Sequence, residues 1–419
     1  MTASVKAERR RPWRISALAL GVLASVGGFV DMGGIITSSQ AGASFHYALL
    51  WTVVPGIVGF AVYAEMSGRI ALSSGRATFD VVRERLGKHL SLIPLVALTF
   101  VNVLTLVVEI SGMALAVRLG LRFLPQPVLV PLMALVLLVL LWRVNFELLD
   151  NSAALLGLAM VATVVAAVVL RPPWHDVAAA MVRPSPDEMT PTADYLFAGI
   201  SLLGAYMTPY QFEFYSSGMR EQEEDVRTNW VSAIIGTVFG GLITIALIVV
   251  AAQVLYPQHQ QVQTLEDAAS PTVSALGSTG LALFMLGAFA VSAGAAVEVS
   301  LSGAYTVCQY FGWGWGKKPR SREVPLFHLT YFVMFVVAVL VALSGIDPIR
   351  LTTVTMALAA LSLPFIFGPM LIVANDPDYM GEQRNKLAAN VVAMIILALL
   401  VVVTVATIPL LVITGGGSS

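Results

Sequence analysis

The chain has 419 residues, 57% of them apolar and only 12% charged, with a formal net charge of −1. Soluble domains carry about 25% charged residues, so this composition excludes a water-facing globular protein and describes an integral membrane protein. The single cysteine, Cys308, excludes an intramolecular disulfide or a cysteine-cluster metal site, and nothing in the charge balance points to nucleic acid.

In chain order, the basic stretch KAERRRPWR (6–14) precedes a long apolar run. That run contains Asp31 and lacks a small-residue cleavage site, so it reads as a retained first helix rather than a signal peptide. A spanning helix needs roughly 20 apolar residues. Eleven candidates follow, at about 15–41, 46–70, 90–117, 127–146, 151–170, 194–218, 229–256, 276–311, 326–344, 350–374 and 386–412. Polar loops separate them, among them RPPWHD (171–176), RPSPDEMTPTAD (183–194) and GKKPRSRE (316–323). With the N-terminus inside, the inner loops collect nearly all Lys and Arg, leaving only Arg118, Arg122, Arg171, Arg183 and Arg350 outside. By the positive-inside rule this places the N-terminus in the cytoplasm and the ITGGGSS terminus outside, in the inner membrane of a cell.

Two segments are interrupted near mid-depth. The first reads GGFVDMGGIIT (27–37), with Asp31 between two glycine pairs. The sixth reads LLGAYMTPYQFEFY (202–215), where Pro209 removes a backbone donor. Breaks five segments apart are the mark of an inverted five-plus-five repeat with a midplane site. The expected organisation is a cytoplasmic tail (1–14), a first repeat (15–170), an extracellular linker (171–193), a second repeat (194–374), and a last helix with a short tail (375–419). Unwound backbone frees carbonyl oxygens that lipid cannot satisfy, and Asp31 adds negative charge, so the breaks spell a cation site. Glu109, Glu213 and Glu298 are the other carboxylates at membrane depth, where such groups face a partner or a water-filled path. Glu65 and Arg69 read as an exposed i,i+4 pair.

The ordered motifs DMGGIITSSQAGASFHYALLW (31–51), YAEMSGRIAL (63–72), FDVVRERLG (79–87), EISGMALAV (109–117), MTPYQFEFYSS (207–217) and LSLPFIFGPMLIVANDPDYMG (361–381) resemble the Nramp family of divalent-metal transporters over nearly the whole chain. The resemblance implies an all-α, LeuT-like five-plus-five fold with eleven transmembrane helices, the first and sixth broken. It puts Asp31 at the family's metal-binding aspartate. It also exposes departures: Gly34 stands at the Asn ligand, Thr208 at the Met ligand, Tyr210 at the sixth-helix His and Ser362 at a tenth-helix Gln. Glu109 holds the third-helix position linked in the family to proton movement. The implied metal set is Asp31, Gly34, Ala205, Thr208 and Glu298, with Glu109, Tyr210, Glu213 and Ser362 serving permeation or coupling.

Thioethers favour soft metals, whereas Mg²⁺ keeps several waters and needs only one or two carboxylates. An all-oxygen set therefore resembles the Nramp-related magnesium transporters and suits hydrated Mg²⁺, with Mn²⁺ second, as a transported substrate rather than a cofactor. The five histidines fall in loops or at helix ends, which argues against tight proton coupling. The alternative is a proton-coupled Mn²⁺/Fe²⁺ importer of the main Nramp type. An organic-cation or amino-acid carrier on the same fold, a sensor and an enzyme are disfavoured in turn by Asp31, by the short loops and by the absence of a catalytic constellation. A monomer in the bilayer is expected.

Overall fold

The computed structural model describes residues 30–143, 152, 155–184, 191–222, 226–317 and 322–417. All regular structure among them is helical. In chain order the elements are α1 (Met32–Phe45), α2 (Val53–Ser74), α3 (Thr78–Leu90), α4 (Leu92–Gly120), α5 (Gln126–Arg143), α6 (Val161–Val169) and α7 (Trp174–Ala180). Then come α8 (Thr192–Tyr206), α9 (Pro209–Gln222), α10 (Val226–Val254), α11 (Leu265–Phe311), α12 (Pro325–Ala342), α13 (Pro348–Ala374), α14 (Pro377–Met380) and α15 (Leu387–Ile413). Among the described residues, eight helices are long and apolar enough to cross a membrane, and a ninth candidate is the pair Leu155–Val169 and Trp174–Ala180, bent by 116°. The first half of the first expected segment lies outside the described residues.

The two halves of the sixth segment, α8 and α9, are separated by the non-helical residues Met207 and Thr208. The eighth segment starts earlier than expected. A capping box at Thr264 and Asp267 initiates α11, and Gly277 interrupts it at φ 64°, ψ −147°. That backbone conformation is open to glycine and strained for other residues. Residues 265–276 thus form a separate polar stretch before the apolar shaft. The linker expected at 171–193 contains a helix, α7, because Pro172 and Pro173 end α6 and restart the chain in a new direction.

Helix α1 sits at the centre, packed against α4, α8, α10, α11 and α13. Small residues allow these approaches, as is common where helices pack in lipid. A Cβ on Gly42 would lie 2.2 Å from the Ile248 carbonyl oxygen of α10, and one on Gly112 of α4 would lie 2.7 Å from the Met32 side chain. By contrast α5, α12 and α15 expose apolar side chains such as Leu135, Phe332, Leu340, Val402 and Val405. In a membrane protein such faces meet acyl chains rather than water.

One end of the bundle gathers α3, the C-terminal ends of α2, α9, α11 and α13, and α14. It is joined by Arg85–Asp376 (2.5 Å), Tyr379–Glu84 (3.1 Å), Thr78–Ser216 (2.8 Å) and Tyr305–Glu221 (3.1 Å). It also carries Arg69, Arg76, Arg83 and Lys317 and is called the basic side below. Arg69 corrects the sequence expectation. It is 8% exposed, binds Glu65 at 2.7 Å, and also donates to Asn385 Oδ1 at 2.7 Å and to the Gln383 carbonyl. Residues 383–385 return across the end of α2 and convert a surface pair into a buried network.

Candidate metal site at the paired helix breaks

Asp31 is the residue before α1 and has extended backbone, φ −124° and ψ 178°. A helix leaves its first N–H groups unsatisfied, and an aspartate at this position answers one of them. Asp31 Oδ1 accepts from Gly34 N at 2.7 Å. The Met32 N–H donates to Glu109 Oε2 of α4 at 3.2 Å. Two buried carboxylates therefore bracket the start of α1, at 3% and 0% exposure. Glycine gives the close approach beside Asp31, since a Cβ on Gly33 would lie 2.5 Å from the flexible Met356 Sδ of α13 and 3.1 Å from Asp31 Oδ1.

The second break faces the first. Helix α8 ends at Tyr206, and Met207 leaves the helical region at φ −113°, ψ 48°. A helical carbonyl at Ala205 would accept from the N–H four residues on, and that residue is Pro209, which has none. Thr208 Oγ1 is buried without a hydrogen-bond partner among the described residues. Tyr210, wholly buried, donates its hydroxyl to Asp31 Oδ2 at 3.4 Å and accepts from Gln211 Nε2 at 3.4 Å. The break between α8 and α9 thus touches the start of α1 directly.

The electrostatics concentrate there. Asp31, Glu298 and Glu109 all lie within electrostatic reach of the Tyr210 hydroxyl. Among the described residues no Lys or Arg pairs with Asp31 or Glu109. Nor do three His, Cys, Asp or Glu side chains converge closely enough to cage a bare ion. The chemistry on offer is one carboxylate, one free hydroxyl, a released carbonyl and two further carboxylates nearby. A hard dication that keeps part of its water shell fits that set.

Several expected residues meet here: Asp31, Thr208, Ala205 and Tyr210 by the two breaks, and Glu109 and Glu298 through α4 and α11. Gly34 has no side chain to place on an ion, and its amide donates to Asp31 Oδ1. Ser362 donates to the Ala359 carbonyl of its own helix at 2.7 Å, so its hydroxyl is already committed within α13. Glu213 lies further along α9, within electrostatic reach of Asp80. Sequence reasoning missed Met356, whose thioether reaches Gly33 from α13, and the Met32 amide held by Glu109. Neither is visible without the packing of α13 and α4 against α1. Gln211 was detectable as the polar neighbour of Tyr210.

Residues 21–409 match the family model "Natural resistance-associated macrophage protein-like". Among solved structures, the chain is similar to the Eremococcus coleocola manganese transporter in complex with an aromatic bis-isothiourea compound. Identity is 20%, coverage is 96% of this chain and 88% of that one, and the TM-score is 0.73. A mutant of the same transporter matches at 18% identity, covering 97% and 88%, with TM-score 0.73. A nucleobase-cation-symport-1 family transporter in a closed conformation matches at 14% identity, covering 94% and 92%, with TM-score 0.59. The architecture is therefore the LeuT-like fold of secondary transporters. The chain belongs to the Nramp family and is an integral membrane transporter of divalent metal cations, not an enzyme.

Proposed function

We propose that this chain takes up hydrated Mg²⁺, with Mn²⁺ as a second substrate, by alternating access and without tight proton coupling. The observation that carries this reading is the junction of the two breaks. Tyr210, two residues past the unpartnered Thr208 hydroxyl, bonds the Asp31 carboxylate there, and no methionine or asparagine side chain occupies the ligand positions, Gly34 on α1 and Thr208 just before α9. The positive-inside bias puts the basic side in the cytoplasm. Two charges entering a negative interior gain about 4.6 kcal/mol per 100 mV, enough to drive accumulation without protons. Residues 15–170 and 194–374 serve as the two repeats, with the paired breaks rocking against α4 and α11.

The test is Mg²⁺ and Mn²⁺ influx into proteoliposomes containing the full chain, with a pH dye inside. The expected result is saturable flux of both ions, lost in Asp31→Ala, with little internal acidification. Mg²⁺ flux that survives in Asp31→Ala rejects the site.

A second reading, the proton-coupled Mn²⁺ importer, is favoured by Met356. Its sulfur approaches the Asp31 cap from α13 and supplies a soft donor that the position of Thr208 lacks, and one of the similar solved structures is the Eremococcus coleocola manganese transporter. Met356→Leu separates the two. A selective fall in Mn²⁺ over Mg²⁺ flux, accompanied by metal-dependent acidification in the parent, favours this reading.

A further inference from the structure

Below Tyr210 the polar groups of α9 continue toward the basic side. Glu213 is one turn beyond Pro209, about 5.4 Å of helical rise, and is 2% exposed. Its Oε2 is buried with no hydrogen-bond partner among the described residues, and no Lys or Arg forms an ion pair with it there. Asp80, in the first turn of α3, is within electrostatic reach. One more turn along, Ser217 accepts from Gln309 Nε2 of α11 at 2.9 Å, and Gln309 Oε1 is also buried without a partner.

The hydroxyls of Ser216, Thr78 and Ser67 are committed elsewhere. Ser216 Oγ gives its proton to Thr78 Oγ1 at 2.7 Å, Thr78 Oγ1 gives its own to the Ser67 carbonyl at 3.0 Å, and Ser67 Oγ gives its own to the Phe212 carbonyl at 2.6 Å. The seam between α2, α3, α9 and α11 therefore leaves two buried acceptors, Glu213 Oε2 and Gln309 Oε1, without a hydrogen bond among the described residues. A buried acceptor left unpaired is costly, and a buried carboxylate with no ion-pair partner among the described residues, as at Glu213, more so; Arg76, Arg83 and Arg220 act on Asp80 instead. A hydrated dication removes both deficits. Its charge neutralises the carboxylates, and its bound waters donate to Glu213 Oε2 and Gln309 Oε1.

We propose that Glu213, with Asp80 and Gln309, forms a second station for the hydrated dication, one step from the central site toward the basic side. The station rests on the reading of Asp31 as the central site, since Tyr210, which bonds Asp31, and Glu213 are three residues apart on one face of α9. It gives the ion leaving Asp31 a second carboxylate to move to, so release need not carry it from full coordination straight to bulk water.

The experiment counts Mn²⁺ bound to the purified full chain by electron paramagnetic resonance and follows Mn²⁺ influx into proteoliposomes. Two ions are expected in the parent and one in Glu213→Gln, which keeps the Asp31 ion and transports with a maximal rate lowered about tenfold. Asp31→Ala is expected to keep the Glu213 ion alone, and Asp80→Asn, which guards against misfolding of the first variant, to weaken that same ion. A single ion that is lost in Asp31→Ala and kept in Glu213→Gln, with unchanged influx, overturns the station and leaves the central site standing. Two ions retained in Asp31→Ala overturn the central reading and the station with it.

Discussion

Tyr210 of α9 donates its hydroxyl to Asp31 Oδ2 at 3.4 Å, so the start of α1 and the break between α8 and α9 are tied by a side-chain hydrogen bond that spans 179 positions of sequence. This bond uses the carboxylate oxygen that Gly34 leaves open, and a metal bound at Asp31 must share or replace it. Tyr210→Phe removes the donor without changing the ring. The expected cost to the metal-free protein is about 1 kcal/mol of stability, read as a lower melting temperature in detergent. Calorimetry should find Mg²⁺ bound no more weakly than in the parent. Weaker binding in this variant means that the hydroxyl supports the ion instead of competing with it.

Thr208 Oγ1 has no partner among the described residues, so its replacement removes no hydrogen bond. Thr208→Met places a thioether beside the carboxylate. Cd²⁺ affinity is expected to rise about tenfold while Mg²⁺ affinity falls, since sulfur favours soft ions. Isothermal titration with both ions checks this, and equal changes for the two would remove ligand softness as the source of selectivity.

Met356 packs on both broken segments, and the two contacts differ in kind. A Cβ on Gly33 meets its flexible sulfur at 2.5 Å, whereas a Cβ on Gly204 meets its carbonyl oxygen at 1.8 Å. Gly204→Ala is expected to destabilise by about 1–3 kcal/mol, with no rescue from Met356→Ala, because the clash is with backbone. Gly33→Ala should be milder and rescued by Met356→Ala. Thermal melting of the single and double variants measures the coupling, and rescue at Gly204 would contradict the packing.

Asp80 supplies a pH dependence. Burial pushes its carboxyl up from 3.8 to about 6, against the pull of Arg76, Arg83 and Arg220 and with a push from Glu84. The folded value exceeds the unfolded one, so the native chain binds the extra proton and loses stability as pH rises from about 4 through about 6. In metal-free detergent solution, Asp80→Asn is expected to melt above the parent at about pH 7.5, with the advantage shrinking toward about pH 4.5. A pH-independent difference would exclude titration of Asp80 as its source.

The break between α8 and α9 and the start of α1 were legible because proline, glycine and a capping aspartate act locally. Pro209 lacks an N–H wherever the fold places it, and Asp31 before a glycine pair is a helix start by its own chemistry. The exposed reading of Glu65 and Arg69 failed for the opposite reason. Burial of Arg69 depends on residues 383–385, more than 300 positions away. Gly34 was assigned to the ion by its place in a motif, while its amide is bound to Asp31 in the first turn of α1.

By itself the sequence determined a membrane-embedded helical transporter with two interrupted segments and a carboxylate at one of them. Apolar length, proline and buried charge carry their energetic consequences along the chain. Only the tertiary structure decided that Tyr210 closes on Asp31, that Glu109 holds the Met32 amide, that Met356 brings sulfur to Gly33, and that Glu213 faces Asp80. Those relationships arise between helices remote in sequence, where packing distance, not residue order, sets which polar groups find partners and which do not.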